Sequence, residues 1–246
     1  MRALSAAEIL HLWEVGTPRP ALERALLLLS AALPETPASE LSALPLGPRD
    51  RRLLDLRAAT FGPELPLFAR CPACAQELDF ALAAADLLAG SAEAESRALG
   101  PHELRTEAGV VRYRLPDSRD LAAAGEYPPE EAERVLLGRC VLEVAIGGAA
   151  VFGPDLPAEL REALARDMAE ADPQAEINID LACPACAHRW TMLFDVLAVL
   201  WADVSRGAMR LLQEVDALAR AYGWGESAVL ALSAQRRALY LEMVTA

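Results

Sequence analysis

The clearest periodic pattern of apolar residues lies in the last quarter of the chain. Apolar residues recur there at alternating spacings of four and three positions, which is typical of a heptad seam on one continuous helix. The seam consists of Leu197, Trp201, Val204, Ala208, Leu211, Val215, Leu218 and Tyr222. The pattern predicts a helix over residues 195–222, followed by two shorter helices over 226–232 and 233–244.

This seam has two interpretations. It packs inside the molecule on helices near the start of the chain, or it forms a docking surface for a partner protein or a second copy of the chain. In the second interpretation Trp201 and Tyr222 are the anchors, because large aromatic side chains carry much of the binding energy of protein interfaces. A homo-oligomer would then form through the 197–222 helix.

Helical signals also open the chain. Ser5 and Glu8 have the spacing of a capping box, and prolines precede two further apolar stretches. The predicted elements are a helix over 5–13, a helix from Pro18 or Pro20 to 33, a loop over 34–48 and a helix over 49–60. They make up the first of three expected regions, residues 1–64.

The middle of the chain changes to the period of two that is typical of half-buried strands. The alternating apolar residues are Leu78, Phe80 and Leu82, then Ile177, Ile179 and Leu181, and finally Trp190 and Met192. Residues 65–70 are short and apolar and are expected to be extended. These strands surround two identical CPAC segments, so each segment is expected at the tip of a β-hairpin.

Four of the five cysteines lie in these segments, Cys71-Pro72-Ala73-Cys74 and Cys183-Pro184-Ala185-Cys186. A two-residue gap lets both sulfurs of a pair point at one cation, and two pairs complete the tetrahedral shell of a zinc ion. We therefore expect one structural Zn²⁺ held by Cys71, Cys74, Cys183 and Cys186. A closed shell leaves no position for water or substrate, so this metal would hold the fold and catalyse nothing.

Two alternatives remain for the cysteine pairs. A CxxC pair can exchange dithiol and disulfide when its first cysteine opens a helix that lowers the thiol pKa. Cysteines can also form a disulfide framework, although a chain of 246 residues does not need one for stability. The fifth cysteine, Cys140, lies in an apolar run and is expected to be a small buried hydrophobic residue.

One feature departs from the usual zinc knuckle. The residue after the second cysteine often takes a positive φ and is then usually glycine, but here it is Ala75 in one pair and Ala187 in the other. Alanine in that conformation is strained by roughly 1 kcal/mol. Either metal binding absorbs this strain or the knuckle has a different geometry.

The cysteine pairs are separated by 108 residues, far more than a simple zinc-ribbon hairpin contains. Local signals predict a short helix over 84–88, a linker over 90–100, a hairpin over 103–115, and helices beginning after Asp117, at Pro128 or Pro129, and at Pro157. The expected fold is α+β and mainly helical: a split zinc ribbon of two CPxC hairpins with a long α+β insertion (83–175), flanked by N- and C-terminal helices. Residues 65–194 form the second region, and 195–246 form a third that packs on the N-terminal helices.

Composition and charge argue against several classes of function. The 23 basic residues, all arginine, face 36 acidic ones, and the net charge of −13 repels phosphates, so nucleic-acid binding is not expected. No apolar run approaches the length of a membrane span and residues 1–5 begin no signal peptide, so we expect a cytoplasmic protein without a membrane partner. The three histidines are scattered and no glycine-rich phosphate loop follows a strand, so we expect no enzyme.

Three segments resemble the baseplate hub assembly proteins of T-even-type contractile phages and of related bacterial contractile injection systems. They are residues 113–121 (YRLPDSRDL), residues 172–176 (DPQAE) leading into the second cysteine pair, and residues 218–242, which begin LARAYGWGESAVLALS. Paired CPxC knuckles also occur among the bacterial members of that family.

The resemblance implies a non-enzymatic assembly factor or minor component of the baseplate hub, with hub or spike proteins as partners, in the cytoplasm or within the particle. Two other classes of function stay open. A zinc-ribbon regulator would bind transcription machinery through protein contacts, and a dithiol redox protein would use cysteines that cycle.

Overall fold

The structure, a computed structural model, describes residues 1–88, 98–146, 149–151 and 156–245. The fold is α+β and 57% helical, with small antiparallel sheets, as the sequence predicts. The helices are α1 (Ala6–Gly16), α2 (Ala21–Ala32), α3 (Ala38–Ser42), α4 (Leu46–Phe61), α5 (Ser118–Ala124), α6 (Pro129–Cys140), α7 (Ala158–Ala171), α8 (Val196–Tyr222), α9 (Glu226–Leu230) and α10 (Ala234–Thr245). The strands are β1 (Glu64–Arg70), β2 (Glu77–Ala83), β3 (His102–Thr106), β4 (Gly109–Tyr113), β5 (Val141–Ile146), β6 (Ala149–Val151), β7 (Asn178–Ala182) and β8 (Arg189–Leu193).

One hydrophobic core unites the two ends of the chain with both cysteine hairpins. Helix α8 contributes Leu200, Val204 and Ala208, which are fully buried in a cluster shared with α1, α2 and α4. The hairpins reach the same core through Leu65 in β1 and Ile179 in β7. We call this part the body: α1–α4, the hairpins β1–β2 and β7–β8, and the first half of α8.

The first half of the predicted seam is covered by this chain itself. Its apolar positions up to Leu211 lie in the body core. Trp201 packs so tightly on Gly16 that a Cβ added to this glycine would lie 2.4 Å from the indole ring, and the guanidinium of Arg24 lies 4.6 Å from the centre of that ring. Trp201 therefore holds α1, α2 and α8 together, and docking of a partner on the 197–222 helix stays a prediction.

The structure corrects two N-terminal predictions. The sequence predicts a loop over 34–48, whereas the structure places α3 within it and begins α4 at Leu46. Pro48 lies in the first turn of α4, where the backbone N–H has no intrahelical acceptor, so a proline there removes no helical hydrogen bond. The loop therefore ends earlier than predicted, and Gly47-Pro48 belongs to the first turn of α4.

The insertion has a core of its own. Strands β3, β4, β5 and β6 form one antiparallel sheet in that order, and Val111 and Tyr113 of the sheet are fully buried in a cluster with Leu160 and Leu164 of α7. We call residues 98–171 the insertion module. Its residues are close in sequence, so this core forms within one continuous stretch of chain.

Parts of the insertion differ from the prediction. The sequence misses β5 and β6, because the apolar run over 135–142 continues the helical pattern of α6 without the alternation that marks a half-buried strand. The predicted helix over 84–88 is a 3₁₀ turn, Ala84–Leu87. The predicted linker over 90–100 lies mostly outside the described residues.

The insertion module is joined to the body at the start of α4. The N-cap residue Pro45 has no side-chain acceptor for the first N–H groups of this helix. Asp172, which follows α7, supplies one instead: its Oδ2 accepts a 2.9 Å hydrogen bond from the backbone N–H of Gly47. The N–H of Leu46 donates to the carbonyl of Pro116 at 3.1 Å. A helix start without its own cap is thereby satisfied by residues distant in sequence.

None of the helices in the described part of the chain combines the length and the apolar character needed to cross a bilayer.

Candidate metal centre

Each cysteine pair lies in the turn of a two-stranded antiparallel hairpin. Strand β1 pairs with β2 from Glu64 opposite Ala83 to Arg70 opposite Glu77, and β7 pairs with β8 from Asn178 opposite Leu193 to Ala182 opposite Arg189. The predicted hairpins are therefore confirmed. Neither first cysteine opens a helix, which is the local structure that a redox-active CxxC pair uses to lower a thiol pKa.

The two turns repeat each other bond for bond. In the first turn the N–H of Cys71 donates to the carbonyl of Gln76, and the N–H of Ala75 donates to the carbonyl of Cys71, both at 2.9 Å. In the second turn Cys183 has the same two bonds, with His188 and Ala187, again at 2.9 Å. Identical sequences thus give identical backbone turns, each of which presents two sulfurs on one side.

The alanines after the pairs adopt the conformation that glycine usually supplies. Ala75 has a φ of 60° and Ala187 a φ of 58°, and they alone among the described non-glycine residues have a positive φ. Each costs roughly 1 kcal/mol relative to an ordinary backbone conformation. Both alanines therefore have the positive φ that the sequence led us to consider, and the associated backbone strain is present twice.

The four sulfurs meet between the hairpins. The Sγ atoms of Cys71 and Cys186 are 3.7 Å apart, those of Cys74 and Cys183 are 3.6 Å apart, and all four lie within 4.8 Å of one another. Both short contacts run from one hairpin to the other. The folding of the chain thus brings together sulfurs that are more than a hundred positions apart in sequence.

This cluster fits the coordination of one tetrahedral metal ion. Zn–S bonds of about 2.3 Å in a tetrahedron place the sulfurs about 3.8 Å apart, close to the two short contacts. A disulfide has a sulfur–sulfur distance of about 2.05 Å, and all five cysteines are free. Thiolate is a soft ligand that selects zinc, copper(I) or iron–sulfur clusters over magnesium or calcium. The arrangement is a candidate metal site with four sulfur ligands.

The site is half covered by protein. Cys71 and Cys183, the first members of the two pairs, are buried, whereas Cys74 and Cys186 are exposed. Each hairpin thus contributes one inner and one outer sulfur. The hairpins themselves contribute to the body core through Leu65 and Ile179, so the site lies at the turns of two elements that are packed into the body.

The thiols of Cys74 and Cys183 have pKa values that are shifted in opposite directions. The backbone of Gln76 lowers the pKa of Cys74, but hydrogen bonds with the thiols of Cys186 and Cys183 outweigh it and raise this pKa to about 12. Desolvation raises the pKa of Cys183, but hydrogen bonds from the backbone of Cys186 and Ala185 lower it to about 7. Four adjacent thiols cannot all become thiolates without a cation, so metal binding here must release protons.

Histidines lie apart from the sulfur cluster. His188 stacks on Trp190 with ring centroids 6.1 Å apart, and His102 stacks on Tyr113 in the insertion at 5.1 Å. His11 is exposed on α1. No histidine belongs to the cluster of candidate ligands, which consists of four cysteines.

Cys140 lies outside the cluster and is buried, as predicted. Its sulfur is 3.9 Å from Oδ2 of Asp120. Desolvation, reinforced by the charge of Asp120, raises the pKa of the Cys140 thiol to about 12. A thiol held in its protonated form is a poor nucleophile, so Cys140 acts as a packing residue.

The sequence did not reveal the polar network around the buried Asp120, beside Cys140. Asp120, which has no exposed surface, accepts hydrogen bonds from Arg114 at 2.5 and 2.8 Å and from Arg139 at 2.8 Å. Its Oδ2 also accepts from the backbone N–H of Asp117 at 3.0 Å, which completes the predicted helix cap. Only the cap has a sequence signal, because the arginines reach Asp120 from other elements.

Comparison with protein-family models finds no matching family. Comparisons with curated proteins and with solved structures find no significant match either.

Proposed function

We propose that this chain is a non-enzymatic assembly factor or minor structural component of the baseplate hub of a contractile phage tail or bacterial contractile injection system. In this proposal the two hairpins form a split zinc ribbon, and one Zn²⁺ is held by Cys71, Cys74, Cys183 and Cys186. The observation that supports the zinc assignment is the sulfur geometry: two contacts between the hairpins, of 3.6 and 3.7 Å, are close to the ~3.8 Å expected between the sulfurs of a tetrahedral ZnS₄ site.

A structural zinc suits a scaffold better than an enzyme. Catalytic zinc sites keep one position open for water or substrate, whereas four thiolates close the shell. In the described residues, the three histidines lie on different elements and form no cluster with the cysteines. The proposed metal would therefore cross-link the two hairpins, and with them the two ends of the insertion, without taking part in chemistry.

The hub assignment rests on the resemblance of three segments, and the structure shows where these segments lie. Segments 113–121 and 172–176 meet at the start of α4, where Pro116 and Asp172 accept hydrogen bonds from Leu46 and Gly47. Segment 218–242 contains a packed aromatic cluster in which Trp224 lies 4.8 Å from Tyr222 and 4.9 Å from Tyr240. All three segments therefore lie where elements of this fold meet.

Metal content tests the first half of the proposal. We expect one zinc per chain by elemental analysis of the dialysed protein, with loss of zinc in Cys71→Ser and Cys183→Ser. Cys140→Ala is the matched control, because Cys140 is the one cysteine outside the cluster, and it should keep full zinc. Purified protein with no metal, or with thiols that cycle between dithiol and disulfide, would support the redox alternative instead.

Partner capture tests the second half. The tagged chain, expressed in its own host during particle assembly, should co-purify with hub, spike or other baseplate proteins. Cys140→Ala should retain these partners. Cys71→Ser should lose them, because in this proposal a partner binds the fold that the metal ion holds together by cross-linking the two hairpins. Recovery of RNA polymerase subunits alone would support the regulator alternative and would leave the zinc assignment intact.

A further inference from the structure

The four clustered sulfurs differ in their access to solvent. Cys74 and Cys186 are exposed, whereas Cys71 is 1% and Cys183 3% exposed. The turn residues on either side of the two exposed cysteines are exposed as well, and all of them are prolines or alanines: Pro72, Ala73, Ala75, Pro184, Ala185 and Ala187. Such small side chains give the outer sulfurs little cover, so a small oxidant meets Cys74 and Cys186 before the inner pair.

Each outer sulfur has an inner sulfur of the other hairpin as a close neighbour. The Sγ of Cys74 lies 3.6 Å from that of Cys183, and the Sγ of Cys186 lies 3.7 Å from that of Cys71. A disulfide bond is about 2.05 Å long, so each pair must approach by about 1.6 Å to form one. The two turns have the same backbone hydrogen bonds, so both pairs should react in the same way.

We propose that the four-cysteine site is sensitive to oxidation, which replaces the metal ion with two disulfides between the hairpins, Cys71–Cys186 and Cys74–Cys183. This inference rests on the zinc assignment of the proposed function and adds a form of regulation to the same site. Disulfides persist in oxidising surroundings and are rare where thiols are kept reduced. The two hairpins would therefore be joined by zinc in a reducing compartment and by disulfides in an oxidising one.

Each disulfide requires the removal of two electrons, for which hydrogen peroxide is a suitable oxidant. An outer cysteine, present as a thiolate in the metal-bound site, attacks one oxygen of the peroxide. The O–O bond breaks, hydroxide leaves, and the cysteine becomes a sulfenic acid. The neighbouring inner thiolate then attacks this sulfur, forms the S–S bond and releases a second hydroxide. Both hydroxides take up a proton and become water, so two peroxide molecules oxidise all four cysteines and free one Zn²⁺.

This pairing differs from that of a CxxC redox protein. In such a protein the two cysteines of one motif exchange with each other, and the first cysteine lies at the start of a helix. Neither motif of this chain opens a helix, and both short sulfur contacts join one motif to the other. Disulfides within a motif would leave the hairpins unconnected after metal loss. Disulfides between the motifs would keep closed a loop of more than a hundred residues, which constrains the unfolded chain.

Peptide mapping distinguishes these two pairings. Trypsin cleaves after arginine, so peptide 71–97 carries the first cysteine pair and peptide 167–189 carries the second. Treatment of the zinc-loaded, full-length chain with hydrogen peroxide should release its zinc to a chromogenic chelator and join the two peptides, as detected by non-reducing mass spectrometry. Partial reduction and alkylation should then pair Cys71 with Cys186 and Cys74 with Cys183. Cys140 is the internal control, because it is buried outside the cluster and should remain a free thiol.

Thermal melts provide a second measurement. The oxidised, zinc-free protein should melt close to the zinc-loaded protein, and a thiol reductant added with a chelator should lower its melting temperature. Peptides that stay separate, each with an internal disulfide, would overturn the proposal. So would disulfides that join the two inner and the two outer cysteines, or zinc that stays bound under excess peroxide.

Zinc content of the freshly purified, reduced protein separates this inference from the proposed function. A protein without zinc would contradict the zinc assignment, and the same peptide map would then test the pairing on the metal-free chain. A protein that contains zinc but forms disulfides within each motif would contradict this inference alone.

Discussion

The body and the insertion module differ in where their core residues lie along the sequence. The buried apolar cluster of the insertion comes from one continuous stretch, Ala98 to Leu164. The body cluster joins residues from Leu4 to Leu87 with residues from Ile179 to Leu211. Forming the body core closes a long loop, whose entropic cost rises with the logarithm of its length. A cross-link at the base of that loop should therefore stabilise the body far more than the insertion.

The two cores also differ in size and in the polar groups that lie near them. Among the described residues, the body cluster has 23 buried apolar residues and the insertion cluster has nine. The insertion also contains a polar network in which the buried Asp120 accepts from the partly exposed Arg114 and Arg139. We infer that the body depends on its cysteine site and the insertion on this polar network, and the following changes test that difference.

Loss of one sulfur ligand should have the largest effect. Cys71→Ser or Cys183→Ser should destabilise the body by more than about 3 kcal/mol, because a metal-bound site contributes its binding free energy to folding. Hydrogen exchange should show loss of protection in α1, α4 and α8, with protection largely kept in β3–β5 and α7. Unchanged far-UV spectra and thermal melts relative to Cys140→Ala would refute the structural role of the cysteines.

Removal of the buried charge of Asp120 should have the opposite effect, with protection lost in the insertion module before the body. Asp120→Asn should cost about 2 kcal/mol and loosen the insertion first, because the buried Asp120 side chain loses its charge-assisted hydrogen bonds, whereas Arg114 and Arg139 are 31% and 41% exposed and remain hydrated. Asp216→Asn is the control, since Asp216 pairs with Arg220 on the surface and should change stability by less than about 0.5 kcal/mol. Protection lost equally in the body and the insertion would contradict the comparison.

The ionisation of Asp120 should make the stability of the insertion module depend on pH. Desolvation alone would raise the pKa of Asp120, but hydrogen bonds from Arg114, the backbone of Asp117 and Arg139 outweigh it and hold this pKa well below its usual range. A lowered pKa in the folded state gives a stabilisation that is fully present above the unfolded pKa of about 3.9. This contribution begins to decline below that value and is gone only when the pH falls through the folded pKa. Urea titrations from neutral pH to about pH 3 should therefore show the stability difference between the wild type and Asp120→Asn starting to narrow below about pH 4 without closing.

The contact between the body and the insertion module at the start of α4 should be weakened by a single added methyl group at Gly47. A Cβ at Gly47 would lie 1.7 Å from Oδ1 of Asp172, so Gly47→Ala must displace this carboxylate and break its hydrogen bond to α4. We expect a loss of about 2 kcal/mol, although alanine is otherwise favoured over glycine in a helix. Gly225→Ala is the control, because nothing lies within 4 Å of its added Cβ. A Gly47→Ala variant more stable than the wild type in chemical denaturation would show that Asp172 is not needed there.

The smallest predicted change is a gain in stability. Ala75→Gly and Ala187→Gly should each stabilise the metal-loaded protein by up to about 1 kcal/mol, because glycine relieves the strain of a positive φ. Ala73→Gly and Ala185→Gly replace alanines of the same turns that lack a positive φ, so they should give no gain. Equal effects at all four positions in thermal melts would mean that the turns store no backbone strain.

Local signals in the sequence predicted much of this fold. The capping box at Ser5, the heptad seam of α8 and the alternation around the cysteines each concern neighbouring residues, and each gave the correct element. Sequence signals failed to predict an element where the local pattern fits both a helix and a strand. The apolar run through Cys140 fits a helix or a buried strand, and only the pairing of β5 with β4 shows where the helix ends.

The amino-acid sequence by itself determined the candidate ligands, since two CPAC segments flanked by strands carry both the donor atoms and the spacing for one metal ion. Tertiary structure decided which sulfurs face each other, with contacts from Cys71 to Cys186 and from Cys74 to Cys183. It also decided that Asp172 caps α4 and that Asp120 binds two arginines. The physical reason is that spacing along the chain fixes local geometry, whereas contacts between distant segments depend on how whole elements pack.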